Sequence, residues 1–192
     1  MATQKQRSDE TRLKLLEAFR VSFLERGYAA TTVKHVLDQT GLSKGALYHH
    51  FTSKEDIIEA LFEQESRTTI ERAMSRVDPL ASPLSRLRTA CLNWTREVRA
   101  PDISKIMFEI GPGALGAQKA KAIEDRNSLS RIEALLIEAI AAGELSAADP
   151  KLIAAFLNAL VAEAGLYDLR TGRDSGPTLG AAIDALFAGL RP

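Results

Sequence analysis

Residues 27–54 read GYAATTVKHVLDQTGLSKGALYHHFTSK, and the punctuation of that stretch decides the fold. The Thr31-Thr32 pair offers hydroxyls that cap free backbone N–H groups at a helix start. Val33, Val36 and Leu37 follow as the apolar face of a short helix, which Gly41 ends. Ser43 is an N-cap for the next helix, and Leu42 before it is placed to pack on Leu47 as a hydrophobic staple. Leu47 and Phe51 lie one turn apart and point into a core, leaving Lys44, Gly45, Tyr48 and His49 on the other side of the wheel. So short a helix is unstable alone and must be held by its neighbours.

Upstream, Leu13, Leu16, Phe19 and Phe23 step by three, three and four, one stripe of a helix from about Asp9 to Arg26 that Gly27 terminates. Downstream, Thr52 and Ser53 restart the chain, with Glu55 and Asp56 where a helix dipole favours acids. This fourth helix carries Ile57, Ile58, Leu61 and Phe62 and runs past Ile70 toward Val77, before a linker at Asp78–Pro83. A domain boundary therefore falls in the fourth helix, between about residues 55 and 78, dividing the chain into 1–55 and 56–192. Beyond it everything reads as helix. Leu84, Leu87, Cys91, Trp94 and Val98 form one stripe; Ile103, Ile106, Met107 and Ile110 form a shorter one, broken by Gly111-Pro112-Gly113. Longer helices are expected over Leu115–Ala142, Pro150–Leu169 and Pro177–Leu190. Strand-like alternation is absent over any useful length, so the fold class is all-α.

Composition agrees. Of 192 residues 45% are hydrophobic, enough for a real core, and only 6% are aromatic, a balance that suits helices. No apolar run approaches the roughly 20 residues that span a bilayer, and the polar N-terminus lacks a secretory signal. Cys91 is the lone cysteine and forms no internal disulfide, so a reducing cytoplasm is the expected setting. Formal net charge is zero, but residues 1–54 hold nine Lys/Arg against five Asp/Glu, and the remainder sixteen against twenty. A basic first quarter on a mildly acidic body fits a head that faces DNA.

Short helix, glycine turn, short helix is the layout of a helix-turn-helix, whose second helix enters the major groove while the first braces it. The specific residues go further. Gly27-Tyr28, Thr31-Thr32, Gly41-Leu42-Ser43, Leu47-Tyr48-His49-His50-Phe51 and Ser53-Lys54-Glu55 together resemble the N-terminal domain of TetR-type transcriptional regulators. One departure is Val36-Leu37-Asp38, where that family usually has an Ile-Ala pair. Farther on, only Glu109-Ile110-Gly111-Pro112 with Leu115-Gly116, and Ala141-Ala142-Gly143-Glu144-Leu145, look like segments of some members. The resemblance implies a three-helix DNA-binding domain joined by a fourth helix to a helical ligand-binding and dimerisation domain. It implies a cytoplasmic homodimer that binds a palindromic double-stranded operator, a repressor released by a small-molecule effector, with no membrane partner.

Candidate DNA contacts follow. Lys44 and Lys54 open helices, where backbone N–H groups attract phosphate. Tyr48, Thr32 and Lys34 are further phosphate candidates, and such contacts position the protein without reading sequence. Gly45 permits close approach, and His49 is the base-edge reader. The resemblance adds His50, which alternatively packs at the domain edge near Leu47. The stripes of the last two helices, with Ala155, Ala159, Ala162, Gly165, Ala181 and Ala182 interspersed, are either an internal core or the family's four-helix dimer bundle. For the effector pocket the candidates are Trp94, Met107, Phe108, Phe156 and Tyr167, large residues on helices that line the family's cavity, although such residues also serve as plain core. Glu163 on an otherwise apolar helix needs a partner if buried, or sits at a wet subunit boundary.

Rival readings are an enzyme and a helical protein-interaction module. No carboxylate or cysteine sits at metal-ligand spacing from His35, His49 or His50, and no glycine-rich phosphate loop, serine elbow or HExxH is present. No catalytic residue, metal or cofactor is therefore expected. An interaction module explains the amphipathic helices but not the Gly41–Lys54 pattern.

Overall fold

A computed structural model describes residues 3–146 and 149–192. Among them the regular elements are all helices, as expected. The first, α1 (Gln4–Ala30), starts earlier than its apolar stripe implies, because Thr3 and Gln6 form a reciprocal capping box. Its buried face is Leu15, Leu16, Phe19 and Phe23. Leu13 is 54% exposed, which corrects its place in the expected stripe: it falls on a flank that no neighbouring helix covers. Gly27, at φ 78° and ψ 165°, breaks the helix where only glycine is comfortable.

The Thr31-Thr32 pair divides its labour. Thr32 caps α2 (Val33–Thr40) by accepting from the His35 N–H, whereas Thr31 is buried and donates to carbonyls of Ser22 and Gly27. Gly41 leaves α2 in the left-handed conformation. Ser43 then caps α3 (Lys44–His50), and Ser53 caps α4 (Lys54–Ser75), where Asp56 also accepts from the Thr52 N–H. Phe19, Phe23, Val36, Leu47 and Phe51 form the head's core together with Ile57, Ile58 and Leu61 of α4. The first two turns of α4 thus pack with the head, and Ile110 from the body joins the same cluster.

The body comprises α5 (Pro83–Glu97), α6 (Pro101–Ser104), α7 (Gly111–Leu115), α8 (Ala117–Ala141), α9 (Pro150–Thr171) and α10 (Gly176–Ala188). Gly111-Pro112-Gly113 does not break the chain as expected. A π-helical turn over Lys105–Ile110 joins α6 to α7, and the Gly111 N–H reaches back to the Ile106 carbonyl. Pro112 has no N–H and its ring clashes with the carbonyl four residues back in a regular helix; the wider turn just upstream relieves that conflict. A Cβ at Gly111 would lie 2.2 Å from the Phe62 ring, so glycine is what lets α7 approach α4. The reversal comes later, at Gly116 with φ 82°.

At 22 residues, α9 is long and apolar enough by composition to cross a bilayer. It is nonetheless packed along one face through Ala154, Leu157, Val161 and Gly165, and carries Glu163 and Arg170 as an ion pair on the other. The body's main core gathers Leu87 of α5, Leu135 and Leu136 of α8, Leu157 of α9, and Ile183 and Phe187 of α10.

Candidate nucleic-acid interface and ligand cavity

The outer face of α3 is built by what its inner face anchors. Leu47 is fully buried and Phe51 nearly so, the latter with the Arg12 guanidinium 5.3 Å from its ring centre. Lys44, Gly45, Tyr48 and His49 are left exposed together, with the Lys44 ammonium 5.8 Å from the Tyr48 ring. A Cβ at Gly45 would meet only the Ser43 hydroxyl, at 3.8 Å, so the surface there is open and flat. Thr32 and Lys34, at the start of α2, are exposed as well, but the Lys34 ammonium is held 2.6 Å from Asp38. That exposed pair raises the Lys34 pKa through its hydrogen bond and is weak enough to be exchanged for a phosphate.

His49 and His50 behave differently despite being neighbours. Their rings meet edge to face at 5.0 Å, with His49 exposed and His50 half-buried and 6.3 Å from the Phe51 ring. Burial lowers the His50 pKa, and the charges of His49 and Arg12 lower it further against the pull of Asp9. His50 is therefore biased toward its neutral form and sits at the domain edge.

Lys54 requires a correction. Its ammonium turns inward, donates to the Tyr28 and Thr31 carbonyls at 2.9 and 3.1 Å, and lies 4.3 Å from the Tyr28 ring centre. These carbonyls, freed where Gly27 breaks α1, need a donor, and Lys54 supplies it. Its side chain is committed to the joint between α1 and α4.

In the body, α4, α5, α8, α9 and the π-turn line a partly open cavity of about 80 Å³. Ile70, Met74, Leu87, Ile132 and Leu135 give it apolar walls, and Trp94 and Met107 are there as expected. Phe108 stands behind Trp94, ring centres 6.4 Å apart in an edge-to-face contact, rather than in the wall. Phe156 and Tyr167 are 51% and 39% exposed on the outer face of α9, and Glu163 pairs there with Arg170, so none of the three lines the cavity. The physical reason is that α9 is apolar on two faces, and its inner one presents Asn158, Val161 and Ala162 instead. Sequence reasoning missed Glu124, Ser128 and Arg131, which line the cavity from α8. The available signal was their spacing by four and three residues in register with Ile132 and Leu135.

A helix-turn-helix head with an exposed cationic recognition helix, set on a helical body with a partly open cavity between its helices, defines a DNA-binding regulator fold of two parts. Residues 15–61 match the family described as "Bacterial regulatory proteins, tetR family", and residues 84–190 match "Tetracyclin repressor-like, C-terminal domain". The chain belongs to the tetR family. It is 33% identical over 118 residues to the HTH-type transcriptional repressor KstR2 of Mycobacterium tuberculosis, covering 61% of this chain and 59% of that protein. It is 31% identical over 96 residues to the HTH-type transcriptional regulator TtgR of Pseudomonas putida, 49% and 45% of the respective chains. These matches span less than two thirds of the relatives' length. A solved TetR-family transcriptional regulator from Pectobacterium atrosepticum superimposes over 99% of this chain and 98% of its own, with a TM-score of 0.75 and 27% identity.

Proposed function

We propose that the chain acts as a cytoplasmic homodimeric repressor, binding a palindromic operator through α3 and leaving it when a small molecule occupies the cavity. The observation that carries this reading is the outer face of α3, where Lys44, Gly45, Tyr48 and His49 stand exposed together over a fully buried Leu47. Lys44, Tyr48, Thr32 and Lys34 hold phosphates, Gly45 admits the duplex, and His49 reads a base edge, with His50 behind it. Lys54 contributes its place at the N-terminus of α4 rather than its ammonium. One such helix binds weakly, so selectivity comes from two copies spaced by about 34–36 Å or a multiple of it.

The exposed apolar face of α9, with Leu152, Phe156, Leu160 and Tyr167, continues onto Ala181, Ala182 and Ala185 of α10 and supports pairing with a second copy. Signal transfer follows from how the cavity is fastened to the head. Met74 of α4 and Met107 of the π-turn both line it, and two residues before Met107 the Lys105 ammonium donates to the Leu24 carbonyl of α1 at 2.6 Å. A ligand larger than the resting cavity pushes these walls apart, shifts α4 and respaces the two heads; it must bind one spacing more tightly than the other to do so. The test is operator binding by the purified chain with and without a ligand found by thermal-shift screening. A hit that raises the melting temperature and lowers DNA affinity supports the reading, and a chain that binds no DNA refutes it.

A further inference from the structure

The polar wall of the cavity is not explained by its apolar remainder. Glu124, Ser128 and Arg131 share one side of α8, facing Trp94, Met107 and Val161. The other polar groups nearby are occupied: Asn127 donates to Ser66 at 3.1 Å, Asn158 donates to Asp125 at 2.9 Å, and Ser128 returns its hydroxyl to the Glu124 carbonyl. Among the described residues, the Glu124 carboxylate has no hydrogen-bond partner; burial, then the adjacent Asp125, push its pKa up to about 7, with Lys121 opposing. Of the charged groups around it, Asp125 and Lys121 share its helix, and Arg131 lies two turns on, within 3.9 Å of Glu71 of α4. Among the cavity-lining residues, α5 brings the Cys91 thiol, which burial pushes to about 12. The remaining polar lining, Ser66 from α4 and Asn158 from α9, is uncharged.

A carboxylate held in an apolar cavity without a partner is costly, and the cost is relieved by a cation brought from outside. From this arrangement we infer that the cavity takes a small lipophilic amine, its ammonium on Glu124 and its apolar body between Trp94, Met107 and Leu135. An anionic ligand would meet the Glu124 carboxylate, with Arg131 its one cationic partner among the described lining residues. A neutral alcohol gives Glu124 a hydrogen bond but leaves its charge uncompensated. The resting cavity, at about 80 Å³, is smaller than the roughly 150 Å³ that accepts benzene. Entry of an aryl or alkyl body therefore requires Met74 and Met107 to change rotamer, which flexible thioether chains allow.

This inference rests on the cavity being the effector site, and the experiment separates the two claims. Trp94 is the single tryptophan and lies in the wall, so its fluorescence reports occupancy directly. The full chain is titrated with phenethylamine, phenethyl alcohol and hydrocinnamate, which share a phenyl body and differ in the charge of the tail. The amine is expected to bind at least about tenfold more tightly than either, a difference of roughly 1.4 kcal/mol. In the wild type that preference grows as pH rises from about 6 to about 8, since Glu124 ionises while the aliphatic ammonium, titrating near 10.4, stays charged. Glu124→Gln abolishes the preference without abolishing binding of the alcohol, and Glu124→Asp keeps part of it. Equal or tighter binding of alcohol or hydrocinnamate overturns the cation assignment and leaves the effector cavity standing. Failure of all three to perturb Trp94 overturns both.

Discussion

Arg20 of α1 and Glu65 of α4 form a charge-assisted hydrogen bond of 2.5 Å, with side chains only 20% and 10% exposed. Asp102 of α6 approaches the same guanidinium at 3.6 Å, so one arginine gathers the head's first helix, the connecting helix and the segment leading into the π-turn. Glu65 directly precedes Ser66, which lines the cavity. The bond therefore joins the part of the molecule that carries the α3 surface to the part that lines the cavity.

Removing that arginine leaves a largely buried carboxylate without its partner. Arg20→Ala is expected to destabilise the chain by about 3 kcal/mol, as judged by urea denaturation. Arg88→Ala breaks a more exposed pair with Asp184 and costs clearly less. If the two variants unfold at the same urea concentration, Arg20 is not the fastening described.

Lys44 and Lys54 separate under substitution. Lys44→Ala removes one phosphate contact per head and lowers the slope of log affinity against log salt by about 0.9 per head. Lys54→Met leaves the slope unchanged but destabilises the chain by about 2 kcal/mol, because two carbonyls lose a charged donor and Tyr28 loses a cation over its ring. Salt titrations by fluorescence anisotropy, paired with thermal melts, distinguish them.

The Glu124 carboxyl in the cavity wall predicts an unusual pH dependence. A carboxyl with a folded pKa above its unfolded value holds its proton more tightly when folded. The stability it confers is present below about pH 4.3 and is lost as pH rises through the folded value of about 7. Glu124→Gln escapes that loss. Without ligand it should be the more stable protein at pH 8, by up to roughly 3 kcal/mol, and indistinguishable from wild type near pH 4. Denaturation midpoints at the two pH values check it; equal midpoints at pH 8 would show that Glu124 finds a partner in solution.

Leu160, 39% exposed beside Phe156 on the outer face of α9, tests the pairing surface. Leu160→Glu is expected to yield a particle of 20.9 kDa in light scattering where the wild type gives twice that mass. It should also lose operator affinity without losing helix content. A wild-type chain that is monomeric at micromolar concentration would place the dimer elsewhere or nowhere.

The head is legible in the sequence because local signals there agree with one another. Ser43, Gly41 and Ser53 are each cap or stop, and Leu47 and Phe51 can face only inward once α3 is placed. The body is legible as helices but not as a site. Periodicity puts Phe156 and Tyr167 on an apolar stripe without saying that α9 has two such stripes, or which one a neighbouring helix covers. Glu124 sits among Lys121, Asp125 and Arg126 and reads as part of a solvated face until α4 and α9 close over it. Lys54 reads as a phosphate ligand because its actual partners lie 23 and 26 residues away, beyond any local rule. The π-turn leaves no local sign, because a proline after glycine normally stops a helix rather than widening the turn before it.

The central claim is that α3 of two paired chains binds DNA. Its most direct test is an anisotropy titration of the wild-type chain against a labelled duplex from the region upstream of its own gene, repeated across a series of salt concentrations. With Lys34 and Lys44 contacting phosphate in each of two heads, log affinity should fall with log salt at a slope of about −3.6 or steeper. The complex should form at two chains per site. No binding to any such duplex at low salt, or binding that is indifferent to salt, would contradict it.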